Sequence, residues 1–178
     1  SSPITFQLTL ATQPAEYSSL FMKLIKKLFR PKSNIFYEEK KDHVRTYVNS
    51  KVLARFFYYL LKIPKSDEQM RVPPWVFKSP ESVKIAYLKE AFDMEGTISK
   101  RLHEIRFVSR DEKFVYDLQR LLSSFDITST ITLQDRPFSP QYRLFIFRKE
   151  NFIKFKKIGF RVPNNRIRFQ ELVKKYKI

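Results

Sequence analysis

The residues of this chain most able to do chemistry stand together in "AFDMEGTISK", residues 91–100. There Asp93 and Glu95 directly precede Gly96, one of two glycines among 178 residues. Upstream, Ser79, Pro80 and Glu81 read as a helix start: a side-chain oxygen to cap, a proline suited to the first turn and an acid at the positive end of the dipole. Gly96 reads as the stop, since glycine can take the left-handed conformation that closes many helices. The spacing predicts a helix over 80–95 with both acids in its last turn. They then face the negative end of the helix dipole, at a cost of about 0.3 to 1 kcal/mol each, so a positive charge is expected beside them. One of the many lysines and arginines would serve. So would a hard divalent cation such as Mg²⁺, which takes oxygen ligands and keeps several waters. In phosphodiester hydrolysis such an ion activates water and neutralises the leaving oxygen.

Other chemistries are narrowed by what the chain lacks. Without cysteine there are no disulfides, thiolate zinc sites or cysteine nucleophiles, and the two histidines, His43 and His103, lack ligand spacing. Lys plus Arg number 35 against 18 Asp plus Glu, a net charge of +17, which concentrates polyanions around the molecule: nucleic acid or an anionic membrane surface. The basic residues run through apolar-patterned segments carrying 18 Phe and 9 Tyr, so this is a folded basic domain and not a tail. No apolar run approaches the roughly 20 residues of a membrane span, and no secretory h-region is present. The expected setting is intracellular (cytoplasmic, nucleoid-associated or organellar), with no membrane partner.

The elements that must position the acids repeat. "ITFQLTLA" alternates as a half-buried strand. "EYSSLFMKLIKKLF" follows at helical spacing, then the strands "NIFYEEK" and "HVRTYVNS" and the helix "KVLARFFYYLLKI". From residue 105 the order returns: strand "IRFVS", helix "EKFVYDLQRLLSSF", strands "TSTITLQ" and "YRLFIFR", helix "ENFIKFKKI". Aligning Glu16 with Glu112 carries Phe29 onto Phe125 without a gap, so the chain reads as a duplicated strand-helix-strand-strand-helix unit. The proline-rich "PKSDEQMRVPPWVFKSPES" between the copies suits an extended connector. Three segments are expected: an N-terminal lobe over 1–63, a connector over 64–79 and a C-terminal lobe over 80–178. Val83, Tyr87, Ala91 and Met94 form one apolar stripe of the central helix, and Ile85, Leu88 and Phe92 another. A helix this apolar suits a lobe–lobe interface.

The stretch "LKEAFDMEG", Leu88 to Gly96, resembles the second motif of the LAGLIDADG homing endonucleases. The flanking "VPPWVFKSPES" and "IRF" are similar to that family's connector and first strands. The resemblance implies an α+β fold of two pseudo-symmetric lobes, each a curved antiparallel sheet backed by helices, the first lobe lacking its N-terminal motif helix. It implies that Glu95 is catalytic and binds Mg²⁺ or another divalent cation, with Asp93 and Gly96 supporting the motif helix. It implies a double-stranded DNA partner whose major groove meets the sheets. By strand alternation the facing side chains are Thr5, Gln7, Thr9, Arg45, Tyr47, Asn49, Ser99, Arg101, Arg106, Thr128, Thr130, Thr132, Gln134 and Arg143.

Departures from the family pattern set the alternatives. Only "SSP" precedes the first strand, so the second catalytic acid is expected from outside this sequence: a missing N-terminal segment, a second protein chain, or another copy in a homodimer. Glu90 and Met94 stand where the family usually has small residues. Two functional readings follow. One is a LAGLIDADG-type, metal-dependent, site-specific endonuclease hydrolysing phosphodiesters of double-stranded DNA, associated with an intron or intein. The other is a catalytically degenerate, sequence-specific DNA-binding or RNA-splicing maturase-like protein.

Overall fold

The computed structural model describes residues 7–12, 15–31, 35–39, 44–63, 69–99, 101, 103–135 and 140–176. The chain divides into two compact units, Ser1–Ile63 and Pro64–Ile178.

In the first unit, strand β1 (Gln7–Thr12) leads to helix α1 (Ala15–Phe29), strands β2 (Ile35–Glu39) and β3 (Val44–Asn49), and helix α2 (Lys51–Arg55). The strands form an antiparallel sheet in the order β1-β3-β2. The period of two along β3 buries Thr46 and Val48 and turns Arg45, Tyr47 and Asn49 to the other face. Phe21, Ile25 and Phe29, spaced at helical intervals on α1, close over Val48 and Leu53. The buried hydroxyl of Thr46 is satisfied by that of Ser18. Ser50 caps α2, its side chain accepting the amide of Leu53 at 3.3 Å. The helix then widens into a π-helical turn, Phe56–Leu60, in which Leu61 N donates to Phe56 O.

The second unit holds the helices α3 (Pro74–Lys78) and α4 (Glu81–Glu95), strands β4 (Gly96–Ser99) and β5 (Glu104–Ser109), helix α5 (Glu112–Ser123), strands β6 (Thr130–Gln134) and β7 (Gln141–Ile146), and helices α6 (Lys149–Phe155) and α7 (Pro163–Lys175). Its antiparallel sheet runs β4-β5-β7-β6. Within it β5-β7-β6 reproduces the order β1-β3-β2, with α5 following β5 as α1 follows β1. The duplicated reading is thus met by one topology used twice: an α+β fold of antiparallel sheets backed by helices. The core lies between the sheet and α4, α5, α6 and α7, where Leu88, Phe92, Ile105, Phe107, Leu118, Leu121, Leu144, Ile146, Phe152 and Phe155 are sealed.

Three local details differ from the sequence reading. Ser79 does not cap α4; Pro80 occupies that position, and the Ser79 hydroxyl donates instead to Trp75 O at the end of α3. Gly96 is extended, with φ −82° and ψ 145°, and passes directly from α4 into β4. Glycine is required there by proximity, because a Cβ would meet the Phe92 carbonyl oxygen at 2.2 Å. Part of the segment read as a connector is packed: Val72 and Val76 are buried in the core, and Asp117 of α5 holds the strap by accepting from Arg71 Nε at 2.5 Å, Arg71 NH2 at 2.9 Å and Val72 N at 3.2 Å. Burial, with Asp117 nearby, pushes the Tyr87 phenol up to about 12. Helix α7 contributes Phe169, Leu172 and Val173 to the core.

The tight approach at Gly96 makes substitution costly whatever its effect on helix propensity. Gly96→Ala should lower folding stability by about 1 to 3 kcal/mol, the usual range for forcing a methyl into filled space. Chemical denaturation read by circular dichroism measures it.

Candidate nucleic-acid interface and the Glu95 cleft

The acidic end of α4 is resolved by three different means. Asp93 turns inward and is buried, its carboxylate accepting the backbone amide of Arg161 at 3.0 and 2.9 Å and that of Val162 at 3.2 Å. Those amides directly precede α7, which starts at Pro163. Peptide N–H groups at a helix start, and not a basic side chain, are the positive partner of Asp93. Glu90 pairs with the Arg161 guanidinium. Half-burial raises the Glu90 carboxyl and Arg161 works against that rise. Glu95 has no hydrogen-bond or ion-pair partner among the described residues.

On the other side of Glu95, Asn165 Nδ2 of α7 donates to Gly96 O at 3.0 Å. The residue between these two anchors is therefore held by its neighbours and not by its own side chain. Its carboxylate opens on a cleft of about 440 Å³ that Met70, Ser109, Arg110, Asp111 and Gln141 also line. Asp111 stiffens one wall, accepting Met70 N at 3.2 Å and donating its own amide to Ser109 Oγ at 3.1 Å. Desolvation beside the cleft raises the Glu95 carboxyl above its ordinary value, although the residue as a whole is exposed.

Among the described residues no three His, Cys, Asp or Glu side chains gather as a metal cage. Glu95 offers one uncommitted carboxylate in a largely apolar cleft, lined by Ala91, Met94, Phe107, Val108 and Phe114, in which Ser109, Asp111 and Gln141 are the other oxygen-bearing side chains. That suits a hard cation of the Mg²⁺ kind, which binds through one or two carboxylates and completes its shell with water and substrate phosphate oxygens.

The strand register places the residues read as DNA-facing. In the second unit Thr97 lies opposite Arg106, Arg106 opposite Phe145, and Phe145 opposite Thr130. Val108 lies opposite Arg143, Arg143 opposite Thr132, and Gln134 opposite Gln141. These positions, with Ser99 opposite Glu104, form the sheet face turned away from Ile105, Phe107, Leu144 and Ile146. Ser99, Arg106, Thr130, Thr132, Gln134 and Arg143 thus share one face. Arg101 is in the turn between β4 and β5, and Thr128 precedes β6 with its amide donating to Asn151 Oδ1, so neither is a strand position.

In the first unit Arg45, Tyr47 and Asn49 share a face by alternation, with Gln7 and Thr9 in register opposite Asn49 and Tyr47. Tyr47 donates to Glu38 at 2.8 Å. The side chains of Gln7 and Thr9, and Thr5 entirely, lie outside the described residues.

Sequence reasoning missed Thr97, Glu104 and Gln141 on this face and Arg161 and Asn165 behind Glu95. The first three continue the same alternation one step further along strands already recognised. For the last two, the signal was Pro163 ahead of the apolar spacing Phe169, Leu172, Val173 and Tyr176.

Residues 82–159 match the family model of the LAGLIDADG-like domain. This stretch of the chain is a LAGLIDADG-like domain. The chain is similar in fold to the homing endonuclease I-DmoI, solved in complex with DNA and Mn, with a TM-score of 0.66 and 18% identity over 85% of this chain and 80% of that one. It is also similar to full-length DUF199/WhiA of Thermotoga maritima, with a TM-score of 0.56 and 16% identity over 97% of this chain and 54% of that one. At these identities the likeness is one of fold. Two curated relatives carry a similar stretch. The probable translation initiation factor IF-2 of Methanocaldococcus jannaschii is 26% identical over 62% of this chain. The tRNA-splicing ligase RtcB of Pyrococcus furiosus is 29% identical over 70% of it. The chain spans 10% of the first relative and 16% of the second.

Two outcomes follow from the acids of α4. Asp93→Ala should cost about 3 kcal/mol or more, since it strands two amides that now meet a charged acceptor, and denaturant unfolding reads it directly. Glu95 has the opposite sense. Its folded-state pKa lies above the unfolded value, so the stability tied to its proton is present below the unfolded pKa and is lost as pH rises through the folded one. Glu95→Gln should therefore unfold at a slightly higher temperature than the parent at pH 7, with the difference disappearing near pH 3.

Proposed function

We propose that this chain belongs to a site-specific endonuclease that hydrolyses phosphodiesters of double-stranded DNA with a divalent cation. The observation that carries this reading is Glu95. Of the three acids Glu90, Asp93 and Glu95, it alone keeps a carboxylate uncommitted, although its pKa is raised and its place at a helix C-terminus is unfavourable. Val108 and Gln141 line both its cleft and the open sheet face, so a duplex lying on that face would bring a phosphate to the carboxylate.

In this reading Glu95 holds the cation, Mg²⁺ or a relative, which supplies activation of water and charge neutralisation at the leaving oxygen. Asp93 and Asn165 keep the Glu95 backbone in place. Ser99, Arg106, Thr130, Thr132, Gln134 and Arg143, with Arg45, Tyr47 and Asn49 in the first unit, contact bases and phosphates, and the +17 charge draws the duplex in. The second acid comes from outside residues 1–178, by a further segment, a second chain or a second copy. The structures of I-DmoI with DNA and Mn support duplex DNA and a divalent ion as ligands of this fold.

The relatives support a mobile origin. A probable translation initiation factor and a tRNA-splicing ligase are named for different tasks, yet each carries a similar stretch that is a minor part of its length. A segment shared by unrelated hosts behaves as an insertion, in keeping with an intron- or intein-associated element.

A second reading, a binder that has lost catalysis, is favoured by the likeness to WhiA over 97% of the chain and by Glu90, whose bulk and ion pair replace a small motif residue. The two separate on one variant. Under the endonuclease reading, Glu95→Gln keeps duplex affinity and abolishes Mg²⁺-dependent cutting by the complete protein. Under the binder reading, the parent protein binds duplex and cuts with no divalent metal, and Glu95→Gln changes nothing.

A further inference from the structure

Glu104 is the one carboxylate among the described strand positions of the second unit's open face, and it is 4% exposed. Its Oε1 is sealed and reaches no hydrogen-bond donor among the described residues. Among the described residues its cationic neighbour is Arg106, with Nε at 3.5 Å, beyond hydrogen-bond range, and that nitrogen is likewise sealed without an acceptor. The Arg106 side chain as a whole keeps 30% of its surface open.

An acid on a face that meets phosphate is unfavourable, and a sealed acid without a hydrogen bond more so. The Coulomb attraction of Arg106 is what offsets it. For Arg106 the same contact is an advantage. With its Nε side drawn toward Glu104, a guanidinium still has the edge formed by its two terminal nitrogens, which donates two parallel hydrogen bonds to a pair of acceptors. Arg106 also sits on β5, an inner strand of the sheet, flanked in register by Thr97 and Phe145. A side chain in the middle of the face meets base edges, while phosphates run along its margins. The acceptor pair offered by a base in the major groove is O6 and N7 of guanine.

From this geometry we infer that Glu104 is a positioning residue that holds Arg106 to read one guanine of the target. This rests on the proposal that the sheet face binds duplex DNA. Glu104 itself touches no base; it restricts the Arg106 rotamers before binding, so less freedom is lost on contact. The consequence is a preference at one base pair that depends on a carboxylate never meeting DNA.

The test is base preference of the full chain, selected from randomised duplexes, for the parent, Glu104→Gln and Arg106→Lys. Both variants should lose guanine preference at the same single position by roughly tenfold. The slope of log affinity against log salt should not change for Glu104→Gln, since no phosphate contact is removed. Equal weakening on all sequences would overturn the inference and make Arg106 a phosphate contact. Should Glu104→Gln fail to fold, Arg106→Lys decides alone: every base preference intact sinks the inference. A parent protein with no duplex preference overturns the DNA-reading proposal and this inference together, whereas a parent selecting a sequence that both variants select equally well overturns this inference only.

Discussion

The Asp93 carboxylate, accepting the amides of Arg161 and Val162, is the contact on which the candidate site depends. It lies where the negative end of α4 meets the positive start of α7, so one charge that α4 disfavours is favoured by α7. Because α7 also reaches Gly96 O through Asn165, the junction between α4 and β4 is fastened from both sides. Glu95 is the residue in the middle. Its backbone is fixed by interactions that its side chain takes no part in, which leaves the carboxylate available for a ligand.

The same economy governs the other acids of this basic chain. Glu90 is taken by Arg161, Asp117 by Arg71 and the strap amide at Val72, and Asp111 by the amide of Met70. Each of these carboxylates ties a segment distant in sequence to the second unit. Buried or half-buried acids here act as fasteners, and the positive surplus is left on the outside, where a polyanion can meet it. Glu95 and Glu104 stand apart from this pattern: one carboxylate is uncommitted in a cleft, and the other is sealed beside an arginine on the open face.

Much of the framework was legible because it is periodic. Alternation along "IRFVS" and "YRLFIFR" needs no tertiary information to say which residues share a face, and both sheets pair their repeated strands in the same order. Helix α4 spans nearly its expected residues because a proline and a glycine bound it. The role of that glycine was misread, since propensity speaks of φ, whereas Gly96 is extended and is required by the proximity of the Phe92 carbonyl. Arg101 and Thr128 fell off the strands because alternation does not mark where pairing stops. Arg161, just before α7, and Asn165, within it, matter for what they touch some 70 residues away in sequence, which no local pattern encodes.

The sequence by itself determined the order of the repeated elements, the net positive charge and the position of two acids beside a glycine. These follow from local periodicity and composition, which act over a few residues at a time. Only the tertiary structure decided which acid was spent on holding the fold and which was left over. Asp93 and Glu95 are chemically alike and two residues apart, about 200° around a helix. One therefore faces the start of α7 and the other a cleft, and that difference exists only once α7 has packed.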